Sequence, residues 1–252
     1  MGIISHYTKL SVLLNHVLDQ NEFLMNTISK TNDPYEYVAR KIVPTLYDNE
    51  VIYTYRDWLN MGYDIIENKI RLGCFVKEND DHNNFSNWSS IKNAPLWAHY
   101  GDSNSGVVIV FKKEPFIESC KKYVKYEWAI HANEVDYNNP PQKPGSFKID
   151  RDKIGENTYL NIAKNLFKQA SEFWFHKSKD WFYEQEFRIM IFTEENSPAK
   201  INLDNTIEAI VFGDRVSNSA KVMIGQYCKE RGIRALALSY SELYNKYSVK
   251  EL

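Results

Sequence analysis

Residues Phe182 to Phe192 read FYEQEFRIMIF, aromatic and β-branched residues around a polar centre, and predict one β-strand. Successive strand side chains point to opposite faces, so Phe182, Glu184, Glu186, Arg188, Met190 and Phe192 would share one face, and Tyr183, Gln185, Phe187, Ile189 and Ile191 the other. Three charges thus interrupt an otherwise apolar face. Carboxylates one strand repeat apart, roughly 6 to 7 Å between Cα atoms, repel each other and raise at least one pKa, while Arg188 acts oppositely. Such tension is common at active sites. The same pattern also suits an edge strand whose Glu and Arg pair in solvent.

Upstream, Tyr159, Ile162, Ala163, Leu166, Phe167, Ala170, Phe173 and Trp174 form one apolar stripe, which predicts a core helix over about Glu156 to Phe175. Further out, strands are expected at Ile3 to Tyr7, Phe23 to Ile28, Arg71 to Val76, Gly106 to Phe111, Ile207 to Phe212 and Ala235 to Ser239. Helices are expected after Thr8, as a cap for Leu10 to Leu18, at Ala94 to Tyr100 and at Ser219 to Arg231. Asn32-Asp33-Pro34 reads as a turn, and Asn138 to Gly145, with three prolines, as a surface loop. Early helices, scattered strands and a late strand cluster predict a single-domain α+β fold over residues 1–252. No GxGxxG or GxxxxGK[ST] supports a Rossmann or P-loop nucleotide site.

The composition is globular, with 43% hydrophobic, 25% charged and 14% aromatic residues. A net charge of -2 gives no general pull toward a nucleic-acid backbone. No apolar run approaches the roughly 18 to 20 residues of a membrane span, and the first residues lack signal-peptide segments, so a cytoplasmic protein without a membrane partner is expected. Cys74, Cys120 and Cys228 are widely spaced, which predicts reduced thiols rather than disulfides or a zinc knuckle. His131 and Glu134 have HxxE spacing with no third ligand placed beside them, so no metal is expected.

Several ordered segments resemble the bacterial family called domain of unknown function 2971, whose members look like divergent ADP-ribosyltransferases. They are His6-Tyr7-Thr8, Asn32-Asp33-Pro34 with Glu36, Cys74-Phe75, Trp97-Ala98-His99-Tyr100 with Gly106, Lys179-Asp180-Trp181, and Tyr183-Glu184-Gln185-Glu186-Phe187-Arg188. The resemblance implies a split-sheet transferase fold and NAD as a substrate. Glu186 matches the second Glu of the family's Glu-x-Glu pattern and would stabilise the oxocarbenium-like charge formed when nicotinamide leaves ribose. Glu184 would face the acceptor and orient or deprotonate it.

The same resemblance puts His6, Tyr7, Thr8, Trp97, His99, Tyr100 and Arg188 around NAD. His6 would hold a ribose hydroxyl, and Tyr100 would stack on nicotinamide, with Tyr7 and Trp97 competing for that role. Lys177, Lys179 and Trp181 would form an acceptor loop in which the lysines could contact phosphate, although they read more naturally as solvated loop residues. Asn32 and Asp33 would each line the site or cap the turn at Pro34, with capping preferred for Asn32. A role in bacterial stress or antiphage defence is a further implication. Two rivals share these residues: a sensor that binds NAD, ADP-ribose or another nucleotide without turnover, and an NAD glycohydrolase with water as acceptor. No motif identifies the acceptor as protein, nucleic acid or small molecule, or sets the oligomeric state.

Overall fold

Runs of β-branched and aromatic residues between polar breakers supply the strands of one large sheet. The computed structural model describes residues 2–28, 42–45, 52–78, 85, 88–138, 147–150, 158–241 and 246–252. In it, β1 (Ile3–Thr8) pairs antiparallel with β5 (Val107–Lys112), and β5 with β10 (Ile207–Phe212). Beyond β10 lie parallel β11 (Arg234–Ser241) and antiparallel β12 (Lys246–Glu251). The other half contains β4 (Ile70–Lys77), β8 (Glu186–Phe192), β6 (Ile130–Glu134), β2 (Glu22–Thr27) and β9 (Ala199–Asn202), completing a ten-stranded sheet. A separate parallel pair joins β3 (Ile42–Thr45) to β7 (Phe147–Asp150). Mostly antiparallel pairing with helices around it makes the fold α+β.

The feature that creates a site is the way β4 is shared. One of its edges pairs with β8 along its length, from Ile70↔Phe192 to Val76↔Glu186. The other edge is divided: β1 pairs with it at Ser5↔Val76 and Ile4↔Lys77, whereas β2 pairs at Asn26↔Leu72 and Thr27↔Arg71. Among the described residues neither strand pairs with Gly73, Cys74 or Phe75. The sheet therefore opens as a wedge between β1 and β2.

Both faces are covered. One carries Phe23, Phe75, Phe111 and Ile189, packed with Phe116 and Cys120 of the Lys113–Tyr123 helix and Ile224 and Cys228 of the Asn218–Glu230 helix. On the other face, the Thr158–Trp174 helix buries Ile162, Ala163, Leu166, Phe167, Ala170 and Trp174 with Leu72, Met190 and Phe192. Each larger side chain removed from water in this way contributes about 1.5–3 kcal/mol. A third cluster places Trp88 and Trp97 against Tyr7, Val108, Val211 and Leu238.

Two local expectations are corrected. Thr8 does not cap a helix, because its backbone remains in the β1–β5 ladder opposite Val107. Lys9 stands at the helix start without a side-chain cap, and Leu10–Val12 passes into a π-helix, Leu13–Leu18, that buries Leu13 and Val17. The expected Phe182–Phe192 strand begins only at Glu186, since Lys179–Glu184 forms a 3₁₀ helix. The turn at Asn32 and Asp33, Glu36 and most of the proline-rich stretch lie outside the described residues. No helix among the described residues is long and apolar enough to cross a membrane.

Candidate functional site

The candidate site begins where the long helix ends. Past Trp174, the Lys177 backbone N–H donates to Asp136 O at 3.0 Å, and the Lys177 side chain turns inward. Ser178 Oγ accepts the Asp180 N–H and opens the Lys179–Glu184 3₁₀ helix, which ends at Gln185 in the left-handed region at φ 45°. The tight helix and turn bring Glu184 and Glu186 around one ammonium: Lys177 Nζ lies 2.6 Å from Glu184 Oε2 and 3.4 Å from Glu186 Oε2.

Arg188 completes the cluster. Its Nη2 donates to Glu186 Oε2 at 2.7 Å, while Nη1 donates to Trp174 O at 2.6 Å and so ties the carboxylate to the helix end. Tyr100 OH donates to Glu184 Oε1 at 2.8 Å, and the Glu186 N–H donates to Tyr137 OH at 2.9 Å. All four charged side chains are buried, so their pairing sets their protonation. Burial drives the Glu184 carboxyl above its ordinary pKa, with repulsion from Glu186 adding to it and Lys177 opposing. Burial also acts against ionised Glu186, but Arg188, Lys177 and a hydrogen bond from Cys74 outweigh it and hold the pKa at about 2.

This cluster lines a cavity of about 460 Å³ at the opening in the sheet, a size suited to a small organic ligand. His6 lines it too, and its Nδ1 donates to Cys74 O at 2.9 Å across the wedge. Burial lowers the His6 pKa, which favours a neutral ring with Nε2 as hydrogen-bond acceptor. The ring lies edge-on to Phe23, with centroids 4.9 Å apart. Ladder register shows how these residues meet. Ser5 opposes Val76 and Val76 opposes Glu186, so Ser5 and Tyr7 share the Glu186 face, whereas His6 and Thr8 project with Phe75 from the other. His6, Tyr100 and Glu186 line one cavity because the sheet is split there.

Residues 96–189 match the family model described as "Protein of unknown function (DUF2971)". The DUF2971 resemblance drawn from the sequence is thereby confirmed over that segment. It contains Tyr100, Lys177, Glu184, Glu186 and Arg188, whereas His6 on β1 and Cys74 on β4 precede it. Neither the comparison with curated proteins nor that with solved structures gives a match.

Within the DUF2971 segment the aromatic candidates separate. Trp97 is fully buried, meets Tyr7 edge-on with centroids 5.2 Å apart, and donates from Nε1 to Ile91 O at 3.2 Å. It belongs to the core and is not among the residues lining the cavity, nor is exposed His99. Tyr7 and Thr8 line the cavity; the Tyr7 hydroxyl donates to Ser90 O. Lys179 is exposed, while partly buried Trp181 lies beneath Lys177, whose Nζ is 4.6 Å from the ring centroid. Lys177 itself is neither a solvated lysine nor an open loop contact, because both glutamates hold it inside.

Glu184 does not share a strand face with Glu186. Positions 182 to 184 belong to a 3₁₀ turn, on whose outer side Phe182 is 57% exposed. Sequence reading also gave no site role to Cys74, Phe23 or Tyr137. Cys74 opposes Arg188 in the β4–β8 ladder, a relation legible only once the register is known. Among the described residues, no group of three His, Cys, Asp or Glu is arranged to hold a metal ion.

Proposed function

We propose that this chain cleaves the nicotinamide–ribose bond of NAD and transfers ADP-ribose to an acceptor. The observation that carries this reading is the unequal glutamate pair at the cavity: Glu186 held ionised by Arg188 and Lys177, and Glu184, its pKa raised by burial, held by Lys177 and Tyr100. Breaking the C1′–N bond returns its electron pair to the pyridine nitrogen, releases neutral nicotinamide and leaves positive charge on ribose. Glu186 offsets that charge and accepts a hydrogen bond from the 2′-hydroxyl. Glu184 orients the acceptor, whose oxygen or nitrogen bonds to C1′ as its proton passes to the Glu184 carboxylate and from there to solvent water. His6 Nε2 accepts from a ribose hydroxyl, and Tyr100, already bonded to Glu184, flanks the nicotinamide ring.

One observation favours a second reading, a nucleotide-binding module without turnover. Lys177 and Arg188 both approach Glu186 Oε2, so a substrate hydroxyl must use Oε1 or displace an ion pair. Incubation with adenine-labelled NAD and cell lysate separates these cases by mass spectrometry. Transfer gives free nicotinamide with labelled adducts, hydrolysis gives free nicotinamide with ADP-ribose alone, and a sensor gives binding with neither product. No binding and no nicotinamide release would end the NAD reading.

A further inference from the structure

We propose that the chain forms a two-fold dimer by pairing the outer edge of β12 with the same edge of a second copy, continuing the sheet across the axis. β12 ends the strand order, and among the described residues no strand pairs with its far side. The Leu252 N–H donates to Ala235 O at 3.0 Å at the end of the β11–β12 ladder. Backbone direction alternates along an antiparallel strand, so Ser248 and Lys250 also turn toward β11, while the N–H and C=O groups of Tyr247, Val249 and Glu251 point outward. Such an edge is a template for another strand.

Charge and register together fit a second copy of this strand. A two-fold axis normal to the sheet places one residue opposite its own copy, so the strand offers few registers. Centred on Ser248, Lys246 would stand opposite the partner's Lys250, and centred on Lys250 the two ammonium groups would meet. Centring on Tyr247 or Glu251 would leave at least half of β12 unpaired. Centred on Val249, no like charges face each other: Val249 meets Val249, Tyr247 meets the carboxylate of the partner's Glu251, and Ser248 meets the partner's Lys250. In this register the three outward residues satisfy one another's backbone groups.

The surroundings suit a covered edge. Of the seven large apolar side chains exposed among the described residues, four flank it: Tyr240 on β11, Leu252 beside β12, and Val222 and Met223 on the Asn218–Glu230 helix. Leu252 Cδ1 would lie 4.0 Å from a Cβ at Gly225 of that helix, and Val222 stands three residues before Gly225 on the same side. No residue of β11, β12 or that helix lines the cavity, so the dimer leaves the candidate site open.

Sedimentation velocity of the full chain tests the pairing, with melting curves to show that each variant is folded. The parent should form a reversible dimer with a dissociation constant on the order of micromolar, as a small interface gives. Ser248 is exposed, and Ser248→Lys sets a like charge opposite the partner's Lys250. That change should weaken the dimer by about threefold to tenfold at low salt, and Ser248→Glu should tighten it by a similar factor. Combining Ser248→Lys with Lys250→Glu should restore the parental association. A parent that stays monomeric up to about 200 µM would overturn the inference, as would a dimer that Ser248→Lys and Ser248→Glu leave unchanged or shift in the same direction.

Discussion

Lys177 is the residue on which the proposed chemistry and the stability of the site both depend. Its ammonium separates two buried carboxylates, and removing one partner from such a group leaves charge uncompensated inside the protein. Lys177→Met is expected to destabilise the domain by about 3–5 kcal/mol, measured by denaturant unfolding. Adding Glu184→Gln to that variant should recover part of the loss, because it removes one of the stranded charges. A strictly additive or larger loss would show that Lys177 is not what holds the two glutamates together. Glu184→Gln alone should retain most nicotinamide release but reduce adduct formation, a separation visible when both products are quantified from one NAD reaction. Equal loss of both products would deny Glu184 an acceptor-side role.

At the level of elements, the legible parts were those with strong periodicity and burial. The Thr158–Trp174 helix and strands β4, β5 and β10 follow their apolar patterns closely. The predicted strand failed at 182–184, where the chain forms the end of a 3₁₀ helix over Lys179–Glu184 instead of extending. Periodicity was silent on β9 and β6, four and five residues long, whose identity comes from their neighbours. The charged residues of the site were nameable from sequence, but the wedge that lets side chains from both sheet faces meet is a property of register, which no single segment encodes.

The turn that follows Tyr100 shows the same dependence on neighbours. Asp102, Ser103 and Asn104 have φ of 51°, 51° and 70°, and the turn is pinned where a Cβ at Gly213 would lie 2.1 Å from Asn104 O. Gly213→Ala should therefore cost about 1–3 kcal/mol or more and loosen the Tyr100–Glu184 bond. In contrast, Gly225 sits inside the Asn218–Glu230 helix with Ala235 and Leu252 4.0 Å away from such a Cβ, and Gly225→Ala should stabilise by roughly 0.5–1 kcal/mol. Thermal melts of the two variants should move in opposite directions. A tolerated Gly213→Ala would mean that this turn is not fixed as described.

For the whole molecule, the glutamate pair predicts two opposed acid responses. Glu186 has a pKa lowered to about 2, so its stabilising contribution is complete above the unfolded value near 4.5 and is lost as pH falls from there toward 2. Glu184 has a raised pKa, so the folded state binds its proton more tightly and gains stability as pH falls through that raised value. The stability advantage of the parent over Glu186→Gln should shrink between about pH 4.5 and 3, while its advantage over Glu184→Gln should grow as pH drops toward 4.5. Denaturant unfolding of the three proteins across this range gives both slopes. Slopes of the same sign would contradict opposite shifts of the two carboxyls, Glu186 lowered and Glu184 raised.

The most direct test of the central claim is nicotinamide release from NAD by the parent and by Glu186→Gln, with matched cooperative melting to show that both are folded. The account predicts release by the parent and a loss on the order of 10²-fold or more in the variant, the scale of removing a preorganised electrostatic group. Full release by folded Glu186→Gln would contradict it.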